Sequence, residues 1–386
     1  MSNKKLRIAF DASPLLVNKT GVAFYTERLI QQMAAAYPDV EFVGFYYNFL
    51  GKRSTKHFPQ ADNITFIASR FIPSKVIYQL RRWNIEIPFE LLCPTRVDFI
   101  LFTNFIGYPR LRKTPAATVV HDLTFVDIPE YTSKKNGSDL RRFTPKEIAR
   151  SKFVVTVSNF SKQRIVEEYG VNPETILVTP IPPEPAQVYD QQTKDELIQK
   201  VGITKPFILF LSTIEPRKNI LNLIAAHQEL PPELQEEYTL VIAGRIGWNC
   251  EAEVAKLAEV QEQGLNIKHL GYVDDRTREA LLQSATIMAN ASHYEGFGMT
   301  LLEAMRYGTP CVISDIPVYH DVAGESAVYF NQKDPADIAQ KIAALLQNPE
   351  ELQKKRVAAK AQADSFSWKT VAASLHDKIV QALRTT

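Results

Sequence analysis

Cysteine is scarce in this chain of 386 residues: Cys93, Cys250 and Cys311 are an odd three, widely separated, with no pair at zinc-ligand spacing. A disulfide framework and a zinc cluster are therefore not expected, and the three read as packing residues. Also missing is any run approaching the roughly 18 apolar residues of a membrane-spanning helix. The opening MSNKKLRIAFDASP puts Asp11 where a signal peptide carries its apolar region, so the expected location is the cytoplasm. No G-x-x-x-x-G-K-[ST] phosphate loop occurs, and the run from Gly296 to Leu301 (GFGMTL) lacks the third glycine of a dinucleotide fingerprint. His293-Tyr294-Glu295 followed by Pro310-Cys311 imitates a zinc-deaminase signature, but Ser314 stands where the second cysteine is required. No repeat of roughly 20 to 50 residues is visible, which argues against solenoids and propellers.

What is present is ordinary for a folded protein: 45% hydrophobic and 23% charged side chains on a chain long enough for two cores. The formal net charge of +2 hides an asymmetry. Up to Pro180 there are 25 Lys and Arg against 16 Asp and Glu; beyond it there are 20 against 27. A basic half is drawn to anionic surfaces. The segments Lys52-Arg53, Arg81-Arg82-Trp83 and Arg110 to Lys113 are the places where it would meet an anionic membrane peripherally, since aromatic and basic groups suit headgroup depth. The competing reading is a solvated basic face. Nucleic acid is not an expected partner, because the basic residues are dispersed and accompany no recognised motif.

Short β-type runs alternate with helical stretches along the first half: 6–12, 41–47, 64–68, 97–102, 117–122 and 153–158. The pattern starts again at 207–213, 238–244, 266–271, 285–291 and 310–315. Such alternation predicts an α/β protein of two doubly wound, Rossmann-like domains with parallel sheets. Between them Pro180, Pro182, Pro183 and Pro185 forbid a regular helix. The expected organisation is a first domain over 1–180, a linker over about 181–189 and a second domain over 190–365. A helix follows over about 366–386, with Trp368, Val371, Leu375 and Ile379 on one face.

In open α/β sheets, ligands bind beyond the carboxyl ends of the strands, so the loops there have priority. After 6–12, Gly21 opens a helix pattern; it is either a turn glycine or a point where phosphate reaches exposed N–H groups. After 207–213, Pro216 suits a helix start and Arg217 and Lys218 place two cations beside the positive end of the helix dipole, inviting a diphosphate. A solvated charge pair is the alternative. After 285–291, Glu295 precedes the turn Gly296-Phe297-Gly298, and Glu303 lies further into the following helix. Both carboxylates could accept sugar hydroxyls from one cleft, or Glu295 could cap the helix and Glu303 be surface charge. At the end of 117–122, His121 and Asp122 are placed either to contact substrate or to sit satisfied in the core. Ser158 and Ser161 are expected to cap a helix starting near Lys162.

Together these residues resemble the retaining, nucleotide-sugar-dependent glycosyltransferases of the GT-B fold, in the group that includes bacterial glycogen synthases and mannosyltransferases. The resemblance rests on Glu295 and Glu303 as the ends of an E-x-x-x-x-x-x-x-E motif and on Glu-Pro-Arg-Lys-Asn at 215–219, with Gly21, His121-Asp122 and 271–285 matching in order. It implies a GT-B architecture, with an acceptor-binding first domain facing the donor-binding second across a cleft and the final helix crossing back to the first. It also implies donor-site roles for Arg217 and Lys218 on the diphosphate, Glu303 on the ribose and Val273 near the base. Glu295 would act at the donor sugar beside Gly296, Phe297 and Gly298, Gly21 would complete the diphosphate site, and His121 would approach the sugar. The implied reaction is hexose transfer with retention, metal-independent and without a cofactor, the nucleotide-sugar being a substrate. The preferred donor is GDP-mannose, and the acceptor a surface glycan or lipid-linked oligosaccharide. Two departures stand out: Ser212 replaces a common glycine, and Ile181-Pro182-Pro183 replaces a common Pro-Asn-Gly element. A nucleotide-sugar epimerase of the same fold and a non-catalytic sugar- or nucleotide-binding module remain the competing readings.

Overall fold

The computed structural model describes residues 5–16, 20–51, 54–56, 58–70 and 73–385. It divides the chain into two compact units, one of residues 1–181 with 367–386 and the other of residues 182–366.

In the first unit, seven strands form a wholly parallel sheet: β1 (Arg7–Asp11), β2 (Glu41–Tyr47), β3 (Ile64–Ser69), β4 (Phe99–Phe102), β5 (Ala116–Val119), β6 (Phe153–Thr156) and β7 (Ile176–Val178). Their order is β3-β2-β1-β4-β5-β6-β7. Near-continuous apolar runs such as FILF and AATV are buried throughout, as strands must be when helices cover both faces of a sheet. The chain reverses its lateral direction between β1 and β4, and this switch point opens a crevice at their carboxyl ends.

The second unit repeats the plan with six parallel strands: β8 (Phe207–Leu211), β9 (Thr239–Ala243), β10 (Ile267–Gly271), β11 (Ile287–Asn290), β12 (Cys311–Ser314) and β13 (Val328–Phe330). The order is β10-β9-β8-β11-β12-β13, with the switch point between β8 and β11. Each foreseen strand is present. The two not foreseen, β7 and β13, have three residues each, too few to establish a periodicity. The buried Phe210, Leu223, Ile242, Ile287, Val312 and Ile342 belong to one core.

The proline-rich stretch expected as a linker is fastened to the second unit. The buried Arg306 guanidinium donates to the Glu184 carbonyl, Tyr189 N–H donates to Gln283 at 3.0 Å, and Gln283 donates to the Gln187 carbonyl at 3.0 Å. After the second unit the chain rejoins the first through the helix Trp368–Arg384. Its Trp368 ring lies 6.3 Å from Phe24 and from Tyr25 of the helix Gly21–Ala36, and His376 stacks on Tyr37 at 3.7 Å. The face carrying Trp368, Val371, Leu375 and Ile379 is buried.

Candidate active site

In the second unit the chain leaves β8 and forms a one-turn 3-10 helix, Pro216–Lys218, before the helix Ile220–Gln228 starts. Pro216 therefore opens the short turn and not the α-helix, because Asn219 interrupts with a left-handed φ of 55°. The Asn219 amide donates to the carbonyls of Ala291 (3.0 Å) and Gln332 (2.7 Å), which locks this turn to the loop after β11. A main-chain bond from His293 N–H to the Arg217 carbonyl, 2.9 Å, completes the latch. Two loops from neighbouring strands are thereby held side by side at the switch point.

That latch brings Arg217, Lys218 and Glu295 together. Arg217 donates to Glu295 Oε2 at 2.8 Å and to Glu215 at 2.5 Å, and Lys218 Nζ donates to Glu295 Oε1 at 2.5 Å. The Ser292 hydroxyl lies 2.7 Å from Glu295 Oε1 and 2.6 Å from Asn290 Oδ1. Glu215, Lys218 and Glu295 are all buried. Burial alone would raise the Glu295 carboxyl, but the adjacent Arg217 and Lys218 charges outweigh it and hold the group at about 2. Desolvation lowers Lys218, against the pull of Glu295. The sequence reading placed two cations beside a helix dipole; the structure gives each a carboxylate partner, a compensation that burial requires. Glu215 and Asn219 stand in the sequence only as the ends of the Glu-Pro-Arg-Lys-Asn run, with no role of their own, and Asn290 and Ser292 carry no signal there; only their partners reveal what the four do.

Glu295 does not cap the following helix, Met299–Arg306; Gly298 occupies the cap position with φ 103°, a backbone region that glycine enters without strain. A Cβ there would also lie 2.9 Å from the buried Tyr319 ring. Phe297 turns its ring inward, 6.0 Å from Phe366, so only its main chain is offered alongside the half-buried Gly296. Glu303, on that helix, pairs with Arg278 at 2.5 Å and not with the Arg217–Lys218 group. The two motif carboxylates thus belong to separate ion pairs. Val273 is half-buried in the loop after β10. Close packing after β8 falls to Gly244, with φ 154°, where a Cβ would lie 1.7 Å from the Ser212 carbonyl oxygen. No group of three or more His, Cys, Asp or Glu able to hold a metal occurs among the described residues.

In the first unit, Gly21 opens the helix Gly21–Ala36, with Thr20 as its cap accepting from Ala23 N–H at 3.2 Å. His121 lies just beyond β5, buried, with Nε2 3.0 Å from the Thr103 carbonyl, while the Thr103 hydroxyl donates to the Asp11 carbonyl at 2.7 Å. This chain of contacts sets His121 at the β1/β4 switch point. Desolvation lowers its pKa, so the ring is neutral near pH 7. Ser158 caps a helix that starts at Asn159, earlier than foreseen. Of the basic segments, Lys52 and Arg53 lie outside the described residues. Arg81 is buried, donating to the Gly107 carbonyl at 2.7 Å, and Arg82 pairs with Asp139 at 3.1 Å.

Residues 193–363 match the family model described as glycosyl transferases group 1, and residues 19–182 match that of glycosyltransferase family 4. The O-antigen chain mannosyltransferase B of Escherichia coli is 29% identical over 386 residues, covering 94% of this chain and 96% of the relative. The serotype-specific mannosyltransferase WbdA of Escherichia coli is 30% identical over 261 residues, 66% of this chain but only 32% of that longer protein. Among solved structures, sucrose-phosphate synthase from Thermosynechococcus elongatus superposes with a TM-score of 0.75 at 16% identity, covering 99% of this chain and 100% of the other.

Proposed function

As a member of the group 1 glycosyltransferases with the GT-B architecture, the chain is a glycosyltransferase, and we propose that it transfers mannose from GDP-mannose to a glycan or lipid-linked acceptor in surface polysaccharide biosynthesis. The observation that carries this reading is the grouping of Arg217, Lys218 and Glu295 at the β8/β11 switch point. The near full-length similarity to an O-antigen chain mannosyltransferase supports the choice of sugar and pathway class.

A nucleoside diphosphate competes with Glu295 for Lys218 and Arg217, because phosphate oxygens are strong acceptors for both cations. Glu295 released in this way gains acceptor capacity for a hydroxyl of the donor sugar. The bond from the anomeric carbon to the diphosphate breaks while the bond to the acceptor oxygen forms on the same face. The acceptor proton passes to the departing phosphate. Two positioned cations stabilise the charge that develops on the leaving group, which is the part a metal would otherwise play. Within the same reading Glu303 takes the ribose, Val273 stands near the base, and the main chain of Gly296, Phe297 and Gly298 borders the sugar. Gly21 and His121 are assigned to substrate contact on the first unit, and the protein works in the cytoplasm with peripheral contact to an anionic membrane.

Calorimetry with GDP-, UDP- and ADP-sugars on the wild type and Lys218→Ala tests the donor site. Selective GDP-mannose binding, lost in the variant, is the expected result. Transfer by Lys218→Ala and by Glu295→Ala is expected to fall by on the order of 10²-fold or more, as for other removed charge stabilisers, with circular dichroism unchanged. Undiminished transfer in both variants would overturn the assignment. Product anomeric configuration by NMR checks retention, and full activity in excess chelator checks metal independence.

A further inference from the structure

Beneath the candidate active site one buried polar group is left over by the interactions described so far. Tyr319 lies in the helix Pro317–Ala323, which follows β12, and its side chain is wholly buried. The ring packs against the turn that starts the helix Met299–Arg306, close enough that a Cβ on Gly298 would meet it at 2.9 Å. Its hydroxyl oxygen is shut off from solvent and has no hydrogen-bond partner among the described residues. Burial raises the hydroxyl pKa well above the ordinary 10, the Glu295 charge raises it further and the Ser292 hydroxyl opposes. The group therefore keeps its proton, and Ser292 and Glu295 are among its polar neighbours.

Where Tyr319 has a hydrogen to spare, its neighbours are one short. The Ser292 hydroxyl has a single hydrogen, yet two acceptors stand within bonding distance of it, Glu295 Oε1 at 2.7 Å and Asn290 Oδ1 at 2.6 Å. Asn290 Oδ1 also receives the Ser292 N–H at 3.0 Å, so the hydroxyl hydrogen can go to Glu295 without leaving Asn290 unserved. A hydroxyl accepts as well as donates, and Ser292 can take the Tyr319 hydrogen while giving its own to Glu295. Lys218 and Arg217 hold Glu295 at 2.5 and 2.8 Å. A diphosphate that draws both cations to itself leaves a carboxylate whose burial still penalises its charge. An unpaired buried hydroxyl is destabilising by itself, and phenylalanine would fill the same space without it. The hydroxyl is accounted for by a state in which Glu295 has lost its cations.

We infer that Tyr319 is a positioning residue for sugar transfer: when a diphosphate takes Arg217 and Lys218, the Tyr319 hydroxyl donates to Ser292 and Ser292 donates to Glu295, which holds the carboxylate toward the donor sugar. The inference rests on the reading that these two cations receive the donor diphosphate. Being wholly buried, Tyr319 touches neither sugar nor phosphate and acts only through Glu295.

Tyr319→Phe removes the oxygen and keeps the ring. Without nucleotide this variant is expected to unfold at the wild-type temperature or slightly above it, since an unpaired buried hydroxyl is lost. Its calorimetric affinity for the nucleoside diphosphate that the wild type binds among GDP, UDP and ADP is expected to fall on the order of tenfold, the scale of one hydrogen bond to a charged group. At saturating donor, kcat is expected to fall by a similar factor while the acceptor KM stays unchanged. With tyrosine isotopically labelled at Cζ, the NMR resonance that Tyr319→Phe deletes is expected to shift when the wild type is saturated with that nucleotide, and to stay in place in Ser292→Ala, where the bridge is missing. A resonance indifferent to nucleotide, or wild-type binding and turnover in Tyr319→Phe, would overturn the inference; loss of nucleotide binding in Lys218→Ala would then leave the donor-site reading standing. Lower stability of Tyr319→Phe without nucleotide would show that the hydroxyl is already partnered, with the same consequence. Wild-type nucleotide affinity in Lys218→Ala would remove the donor-site reading and the inference together.

Discussion

Glu295 keeps its charge in a buried setting only because two cations and a hydroxyl meet it. Its folded value of about 2 lies below the ordinary 4.5, so ionisation favours the folded state. The stability this supplies is complete above the ordinary value and is lost as the pH falls through that range toward 2. Glu295→Gln should therefore flatten the acid limb of a stability-versus-pH curve between about pH 4.5 and 2, which urea titrations at stepped pH would measure. A parallel acid limb in the variant would place the effect elsewhere. Asn219 supplies a second test, since its side chain bonds two carbonyls from other loops and its backbone is left-handed. Asn219→Ala is expected to destabilise the second unit by about 2 to 3 kcal/mol, the sum of two lost bonds and backbone strain. Residue types at the site were legible in the sequence: the Glu-Pro-Arg-Lys-Asn run and the paired glutamates can be read by eye. Their pairings were not. Lys218 and Glu295 meet only because β8 and β11 lie side by side, and sheet order is a tertiary fact that a linear spacing does not encode.

Strands were legible for a different reason. Inner strands such as β4 (FILF) and β8 (FILFL) are buried along their whole length and written as unbroken apolar runs, the edge strands β3 and β10 are only partly buried and carry polar residues, and β7 and β13 are too short to register. Helix starts were less legible than strands. The helix after Ser158 begins several residues before Lys162, and Asn219 delays the one after Pro216. The helix Met299–Arg306 depends on one backbone conformation at its start. Gly298→Ala would need φ 103° and would press its methyl on the Tyr319 ring. It is expected to lower the melting temperature and to impair donor binding together, since the turn beside Glu295 must shift to accommodate it; differential scanning calorimetry and donor titration check this. For Trp368, large-to-small replacement at a buried contact sets the scale. Trp368→Ala is expected to cost about 3 kcal/mol or more in the first unit by opening the space against Phe24 and Tyr25. Hydrogen exchange resolved by segment would show that loss in residues 21–36 and not around β8.

For the whole molecule, two sheets with separate cores predict two folding units that respond differently to ligand. A nucleoside diphosphate at about a hundred times its dissociation constant adds roughly 2.7 kcal/mol to the state that binds it. That protection should appear chiefly in residues 182–366, and its appearance chiefly in β1 to β7 would contradict the placement of the donor site. The charge asymmetry visible in the composition keeps its meaning at this scale, with the positive surplus concentrated in the first unit. One feature of the chain path bears on its biosynthesis. Residues 182–366 form a contiguous unit, whereas the first unit needs the helix Trp368–Arg384 to cover Phe24, Tyr25 and Tyr37. On the ribosome, the stretch synthesised first must wait with that apolar strip uncovered while the whole second unit emerges and folds. Chaperone capture during translation should consequently be strongest at residues 21–37 and end once Trp368 has left the exit tunnel.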